Sequence, residues 1–202
     1  MDEEKKDPTY EVILDAAKDL FFKQGKIHAT TQEIADAAGV NRTLINYYFR
    51  SRNAMIDIIF KEAFEEEEKQ QETIVLSKLP LREKLENFMD LSFAYAKKYP
   101  FMRVFMITYM TQAEIYDFSV KDQIQEMLPV LFSEIEEEMN EGNLHKMEPI
   151  QFILNFISLV YMPIFMRPLL QQWMKLSEEE YDRIIASRKE VILNTIYKQK
   201  DL

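Results

Sequence analysis

Residues 30–49, Thr-Thr-Gln-Glu-Ile-Ala-Asp-Ala-Ala-Gly-Val-Asn-Arg-Thr-Leu-Ile-Asn-Tyr-Tyr-Phe, leave this part of the chain little choice of fold. Thr30 suits a helix N-cap, and Glu33, three residues on, can return the bond to close a capping box. Ile34, Ala35 and Ala38 then recur at helical spacing as an inner face. Gly39 can end this helix, because only glycine takes the left-handed conformation beyond a helix end at no steric cost. Asn41 is placed to cap a second helix running from Arg42 to Tyr48. Two short helices joined by a glycine turn make a helix-turn-helix, the motif whose second helix enters the DNA major groove.

The chain as a whole looks ill-suited to a polyanion, with 25 Lys and Arg against 35 Asp and Glu and a net charge of -10. Its distribution removes the objection. Residues 37–56 hold Arg42, Arg50 and Arg52 and no acid, while residues 1–55 carry eight basic and nine acidic side chains, so the acidity belongs mainly to the rest. Exposed charges more than about 8 Å apart are largely screened at physiological salt, so attraction to phosphate is decided locally. A helical hairpin that merely filled an all-α core would have no reason to carry Asn, Arg, Thr and two tyrosines on an acid-free outward face.

Three glycines in 202 residues leave few turns for sheets, and Gly25, Gly39 and Gly142 each follow a helical pattern as C-terminal caps do. Without cysteine there is neither a disulfide scaffold nor thiolate chemistry. The first eight residues lack the basic end and apolar run of a secretory signal, which points to a cytoplasmic protein. Residues 150–170 are mostly apolar but are interrupted by Gln151, Asn155, Ser158, Arg167, Pro163 and Pro168, so a buried helix accounts for them better than a membrane span of about 20 apolar residues. A mean hydropathy of -0.30 agrees.

Helical spacing organises the remainder. A first helix is expected from Pro8 to about Gln24, capped by Asp7, with Tyr10, Ile13, Leu14, Ala17, Leu20 and Phe21 in one stripe. Ser51 caps a fourth helix that carries Ile58, Ile59, Ala63 and Phe64 and ends in the acidic run 65–68, a solvated face. Beyond Pro80 the helices lengthen: 81–99, one starting at Pro100, and one ending at Gly142 in which Pro129 predicts a kink or a fresh start. Pro149 opens the apolar helix, and Ser177 with Glu180 makes a second capping box. No strand of useful length is apparent.

The N-terminal residues resemble the TetR/AcrR family of bacterial transcriptional regulators. The match runs from Ile13 to Met55 and takes in Ala16-Ala17, Leu20-Phe21, Gly25, Thr30-Thr31, Ile34-Ala35, Ala38-Gly39-Val40, Tyr48-Phe49, Ser51 and Arg52. The resemblance implies an all-α protein of about nine helices: a helix-turn-helix DNA-binding domain at 1–50, then a larger helical ligand-binding and dimerisation domain at 51–202. It further implies a homodimer paired through its last two long helices, whose binding to a double-stranded DNA operator is released by a small molecule. Gln32, Arg42, Thr43 and Leu44 are then expected at bases, Thr31, Tyr47, Tyr48 and Arg52 at phosphates, and Asn46 at either. Leu44 and Asn46 depart from the residues common in the family, so the operator sequence cannot be carried over.

Phe101, Met102, Phe105, Met106 and Tyr109, with Phe152 and Phe156 later in the chain, are soft and aromatic side chains suited to an apolar or amphipathic ligand. Phe156, Val160, Ile184, Ile185 and Ile192 are the expected dimer interface, because an apolar helix beside an amphipathic one needs more cover than one protomer supplies. No metal site, cofactor or catalytic group is expected: His28 and His145 are the only histidines, no Glu-x-x-His pairs occur, and no nucleophile is placed beside a base. A helical interaction module is the rival reading, and it would leave Arg42, Tyr47 and Tyr48 without purpose.

Overall fold

The computed structural model describes residues 7–105 and 120–198, with backbone alone for Phe64 and 120–126. Among the described residues there are nine α-helices, one π-helical turn and no strand. The helices are α1 (Pro8–Lys18), α2 (Thr31–Ala38), α3 (Arg42–Phe49), α4 (Arg52–Val75), α5 (Leu81–Lys98), α6 (Val120–Asn140), α7 (Pro149–Phe165), α8 (Arg167–Met174) and α9 (Glu178–Ile196). The π turn, Asp19–Lys23, continues α1.

The caps are those the sequence implies. Asp7 accepts from the Thr9 amide at 2.8 Å and Pro8 starts α1, Thr30 and Glu33 close a capping box, and Gly39 has φ 66°. Asn41 accepts from the Thr43 amide at 2.9 Å, the Ala54 amide donates to Ser51 Oγ at 3.1 Å, and Ser177 with Glu180 forms the second box. One break departs from expectation. The helix after Pro8 widens at Asp19, where the Gln24 amide bonds back five residues to the Asp19 carbonyl at 3.0 Å. A wide turn rotates less per residue, which lets the consecutive Leu20, Phe21 and Phe22 all be buried. Pro129 lies inside α6 without ending it; Ile135 and Met139 beyond it pack into a core, and that burial offsets the bond lost to proline.

The chain divides into two compact units. Unit 1 comprises Met1–Glu66 and Lys98–Ala113, of which 7–66 and 98–105 are described. Its core is Ile13, Leu14, Ala17, Phe21, Phe22, Ile34, Ala35, Ile45 and Phe49, each at most 2% exposed. Residues 98–105 belong to this core: the Phe101 amide donates to the Phe22 carbonyl at 2.9 Å, Phe105 stacks on Phe21 at 5.4 Å, and Tyr99 meets the Phe22 ring edge-on at 5.7 Å. Gly25, at φ 67°, lies so close to the Phe101 ring that a Cβ there would stand 3.0 Å from it. Unit 2, Glu67–Lys97 and Glu114–Leu202, is built on Leu81, Leu85 and Met89 of α5, Ile135 and Met139 of α6, Phe152, Phe156 and Val160 of α7, and Ile192, Leu193 and Ile196 of α9. The sequence-derived boundary at residue 50 thus falls inside unit 1, which keeps the first half of α4 as well.

Among the described residues no single helix is long and apolar enough to cross a membrane. One bent pair, α7 with α8, passes on length and composition, but it breaks by 65° and buries Phe152, Phe156, Val160 and Ile164.

Candidate nucleic-acid interface

Two short helices set the surface. Ile45 and Phe49 anchor α3 in the core, and that anchoring turns Arg42, Thr43, Asn46 and Tyr47 outward, all exposed. Tyr47 is 77% exposed, a large cost for an aromatic side chain that no other surface covers. Arg42 Nε donates to Thr31 Oγ1 at 3.0 Å, which ties the first turn of α3 to the first turn of α2. The Arg42 terminal nitrogens take no part in that bond and keep the paired donor geometry that suits guanine. Thr43 Oγ1 bonds Asn41 Oδ1 at 2.8 Å, and Gln32 Nε2 donates to Asp36 Oδ1 at 2.8 Å. Leu44 and Thr31 are half-buried and Gln32 is exposed. Thr31, Gln32, Arg42, Thr43 and Leu44 therefore lie at the two helix starts, with Asn46 and Tyr47 farther along α3.

Two expected phosphate contacts sit differently. Arg52 turns inward: Nε donates to the Ala29 carbonyl at 2.7 Å, a terminal nitrogen donates to the Ile27 carbonyl, and the guanidinium lies 5.4 Å over the Phe21 ring. It braces the loop before α2, because that loop's carbonyls have no helix of their own and a guanidinium can satisfy several at once. Beside Arg42, the acid-free stretch keeps Arg50 on the surface, the exposed residue that closes α3 with φ 58°. The sequence reading counted Arg50 in the charge but not in the site. Tyr48 is half-buried against Tyr10, ring centroids 6.0 Å apart, and its hydroxyl donates to Asp7 Oδ2. That bond, and after it the Thr9 amide, holds the Asp7 carboxyl below the usual range, and the same bond pushes the Tyr48 phenol up. The α1 cap thus reaches the end of α3, a pairing 41 residues apart that no local pattern announces.

The residues expected around a ligand divide between the units. Phe101, Met102 and Phe105 pack in unit 1, where Phe105 meets both Phe21 and Phe22, aromatic partners far away in sequence. Phe152 and Phe156 are in the core of unit 2. Met106 and Tyr109 lie outside the described residues. Unit 2 does contain a polar cluster that the sequence reading missed. Gln71 Nε2 donates to Tyr161 Oη at 2.8 Å and to Glu67 Oε1 at 3.1 Å, and Ser92 Oγ lies 3.2 Å from Tyr161 Oη. Glu67 and Ser92 are at most 2% exposed, and the Tyr161 ring adjoins Phe88 at 6.1 Å and Phe165 at 6.0 Å.

Three expected interface residues are also corrected. Phe156, Val160 and Ile192 are at most 5% exposed within one chain, since α7 and α9 turn their most apolar lines onto α5, α6 and each other. Ile185 is half-buried. The apolar residues left outside are Ile150, Leu154, Ile157 and Met162 on α7, with Ile184 and Val191 on α9.

Residues 13–58 match the family model described as bacterial regulatory proteins, tetR family. Comparison with curated proteins found no match. Among solved structures, the ketosteroid transcriptional regulator KstR2 of Mycobacterium tuberculosis superposes with a TM-score of 0.70 at 16% identity, over 97% of this chain and 98% of that one. AibR in complex with isovaleryl coenzyme A and operator DNA gives 0.65 at 15% identity, over 94% and 98%. The TetR family transcriptional regulator PfmR from Thermus thermophilus gives 0.65 at 16%, over 90% and 96%. At such identities these likenesses establish the fold alone. The capped helix pair and its outward polar face thus fall within residues 13–58, the part of this chain that is similar to the tetR family of bacterial regulatory proteins.

Proposed function

We propose that the chain is a ligand-responsive transcriptional regulator, a cytoplasmic repressor that leaves a palindromic operator when a small amphipathic molecule binds unit 2. The observation that carries the DNA-binding part is the exposed set Arg42, Thr43, Asn46 and Tyr47 on an acid-free stretch, with Gln32 exposed on the preceding helix. Arg42 and Thr43 are the base readers, Leu44 offers contact to a thymine methyl, and Arg50, Thr31, Tyr47 and Tyr48 hold phosphate. Homodimerisation supplies the two half-sites through the exposed apolar lines of α7 and α9, and a two-fold protein matches a two-fold operator.

The effector reading rests on the Glu67, Gln71, Ser92 and Tyr161 cluster beside Phe88, Phe156 and Phe165, polar groups among rings that suit a molecule with one polar and one apolar end. The related AibR structure holds isovaleryl coenzyme A together with operator DNA, an apolar acyl group on a polar carrier. Release would follow from differential affinity of the effector for free and DNA-bound protein, typically ~1–3 kcal/mol or roughly 5–150-fold.

Selection of short DNA from a random pool tests the reading directly. The purified protein is expected to enrich an inverted repeat, and Arg42→Ala to relax preference at one position per half-site by ~1–3 kcal/mol. A pool that enriches nothing returns the protein to an interaction module. Asp7→Asn is expected to act otherwise, tightening all DNA sequences alike by a few-fold, because the Tyr48 hydroxyl and the nearby phosphates no longer meet a carboxylate. Titrations at two salt concentrations check this, and weaker binding would give Asp7 a positioning role.

A further inference from the structure

Unit 2 leaves one stripe of α9 uncovered. Arg183, Ile184, Ser187, Glu190, Val191 and Asn194 are exposed, whereas Tyr181, Ile192, Leu193 and Ile196 hold the opposite face in the core. Ile184 and Val191, seven residues apart, lie on one line with the small Ser187 between them. Arg183 and Glu190, also seven apart, flank that line on one side, and Arg188 flanks it on the other. Beside Ile184 the surface hollows into an open groove of about 360 Å³ lined by Leu176, Glu180, Arg183, Ile184 and Ser187. Among the described residues neither Arg183 nor Glu190 enters an ion pair, Arg183 Nε reaching only the Glu179 carbonyl at 3.4 Å.

We propose that this stripe is read by a second copy of the same chain lying antiparallel, in a register centred on Ser187, and that Arg183 with Glu190 sets that register. The inference rests on the homodimer proposed above and adds its orientation and its selectivity. Charge complementarity is the argument. In an antiparallel two-fold pair, positions on the same flank face one another, so that Arg183 meets the partner's Glu190 and, by symmetry, Glu190 meets the partner's Arg183. Ile184 then meets the partner's Val191, which enters the groove beside it. In a parallel pair opposite flanks meet, and Arg183 would face the partner's Arg188, two like charges that repel. The flank that favours one orientation therefore penalises the other. It also rejects related chains: a regulator of the same fold without a cation and an acid at these two positions forms neither contact with this one, and specificity built from such mismatches needs no extra affinity.

Sedimentation equilibrium on the full chain tests the register. Arg183→Glu and Glu190→Arg are each expected to weaken self-association on the order of tenfold or more, since each turns two attractive contacts into repulsive ones. An equimolar mixture of the two variants, and the double variant R183E/E190R alone, are expected to associate as the parent does, because both restore two opposite-charge contacts. Circular dichroism checks that all remain folded. A parent that dimerises while neither mixture nor double variant recovers overturns the register and leaves the homodimer standing. Tighter association of Arg183→Glu would show the parallel arrangement, and a parent that stays monomeric at micromolar concentration overturns the homodimer itself.

Discussion

Phe22→Ala lowers the stability of unit 1 by about 3–5 kcal/mol, the usual cost of emptying a fully buried phenyl site. The ring is 0% exposed and lies edge-on to both Tyr99 and Phe105, at 5.7 and 5.5 Å. Its loss opens a void between the π turn and residues 98–105, which the Phe101-to-Phe22 backbone bond and the stacking of Phe105 on Phe21 would then hold together. Urea titration followed by two probes measures this. Trp173, the only tryptophan, belongs to unit 2, so its fluorescence follows that unit, whereas circular dichroism follows all helices. The expected result is an early loss of helical signal with little change in fluorescence, together with loss of DNA binding. A shift below about 1 kcal/mol would mean that the ring site collapses and that the aromatic contacts are not what holds 98–105 in unit 1.

The second large effect lies in unit 2. Lys84 is 2% exposed and its ammonium pairs with Glu134, whose side chain is 27% exposed. Removing one partner of a buried pair leaves the other charge with water it reaches only in part. Lys84→Ala is therefore expected to cost about 2–3 kcal/mol, the figure held below that for a fully enclosed pair because Glu134 retains some solvent. Replacing both, Lys84→Met with Glu134→Leu, is expected to recover most of the loss, since a well-packed apolar pair of similar volume avoids the desolvation of two charges. Denaturation of the two single variants and the double variant closes the cycle. A double variant as unstable as Lys84→Ala would show that the ion pair itself, not its broken half, contributes the stability.

What could be read before any coordinates follows from the range of the interactions involved. The capping boxes at Thr30 and Ser177, the glycine at 39 and the proline at 149 act within four residues, and each was legible. The outward set on α3 was legible for the same reason, because Ile45 and Phe49 fix which side faces in. Arg52 was not, since its partners are carbonyls 23 and 25 residues away. The same holds for Phe105, assigned to a ligand cavity but packed on Phe21 and Phe22. Helical periodicity shows that a face is apolar and says nothing of which apolar surface it meets. For that reason Phe156, Val160 and Ile192 looked like a dimer face when they fill one protomer's core.

Arg50 gives the recognition helix an unusual ending. It closes α3 with φ 58° and ψ -37°, a backbone that a side chain makes costly by about 1–2 kcal/mol and that glycine adopts freely. Thermal adaptation would favour glycine there, yet the substitution would take away the exposed cation nearest the end of α3. On the function proposed for this chain, heat resistance and grip on DNA pull this one position in opposite directions, so a heat-stable descendant would have to regain its hold on phosphate elsewhere on the same face.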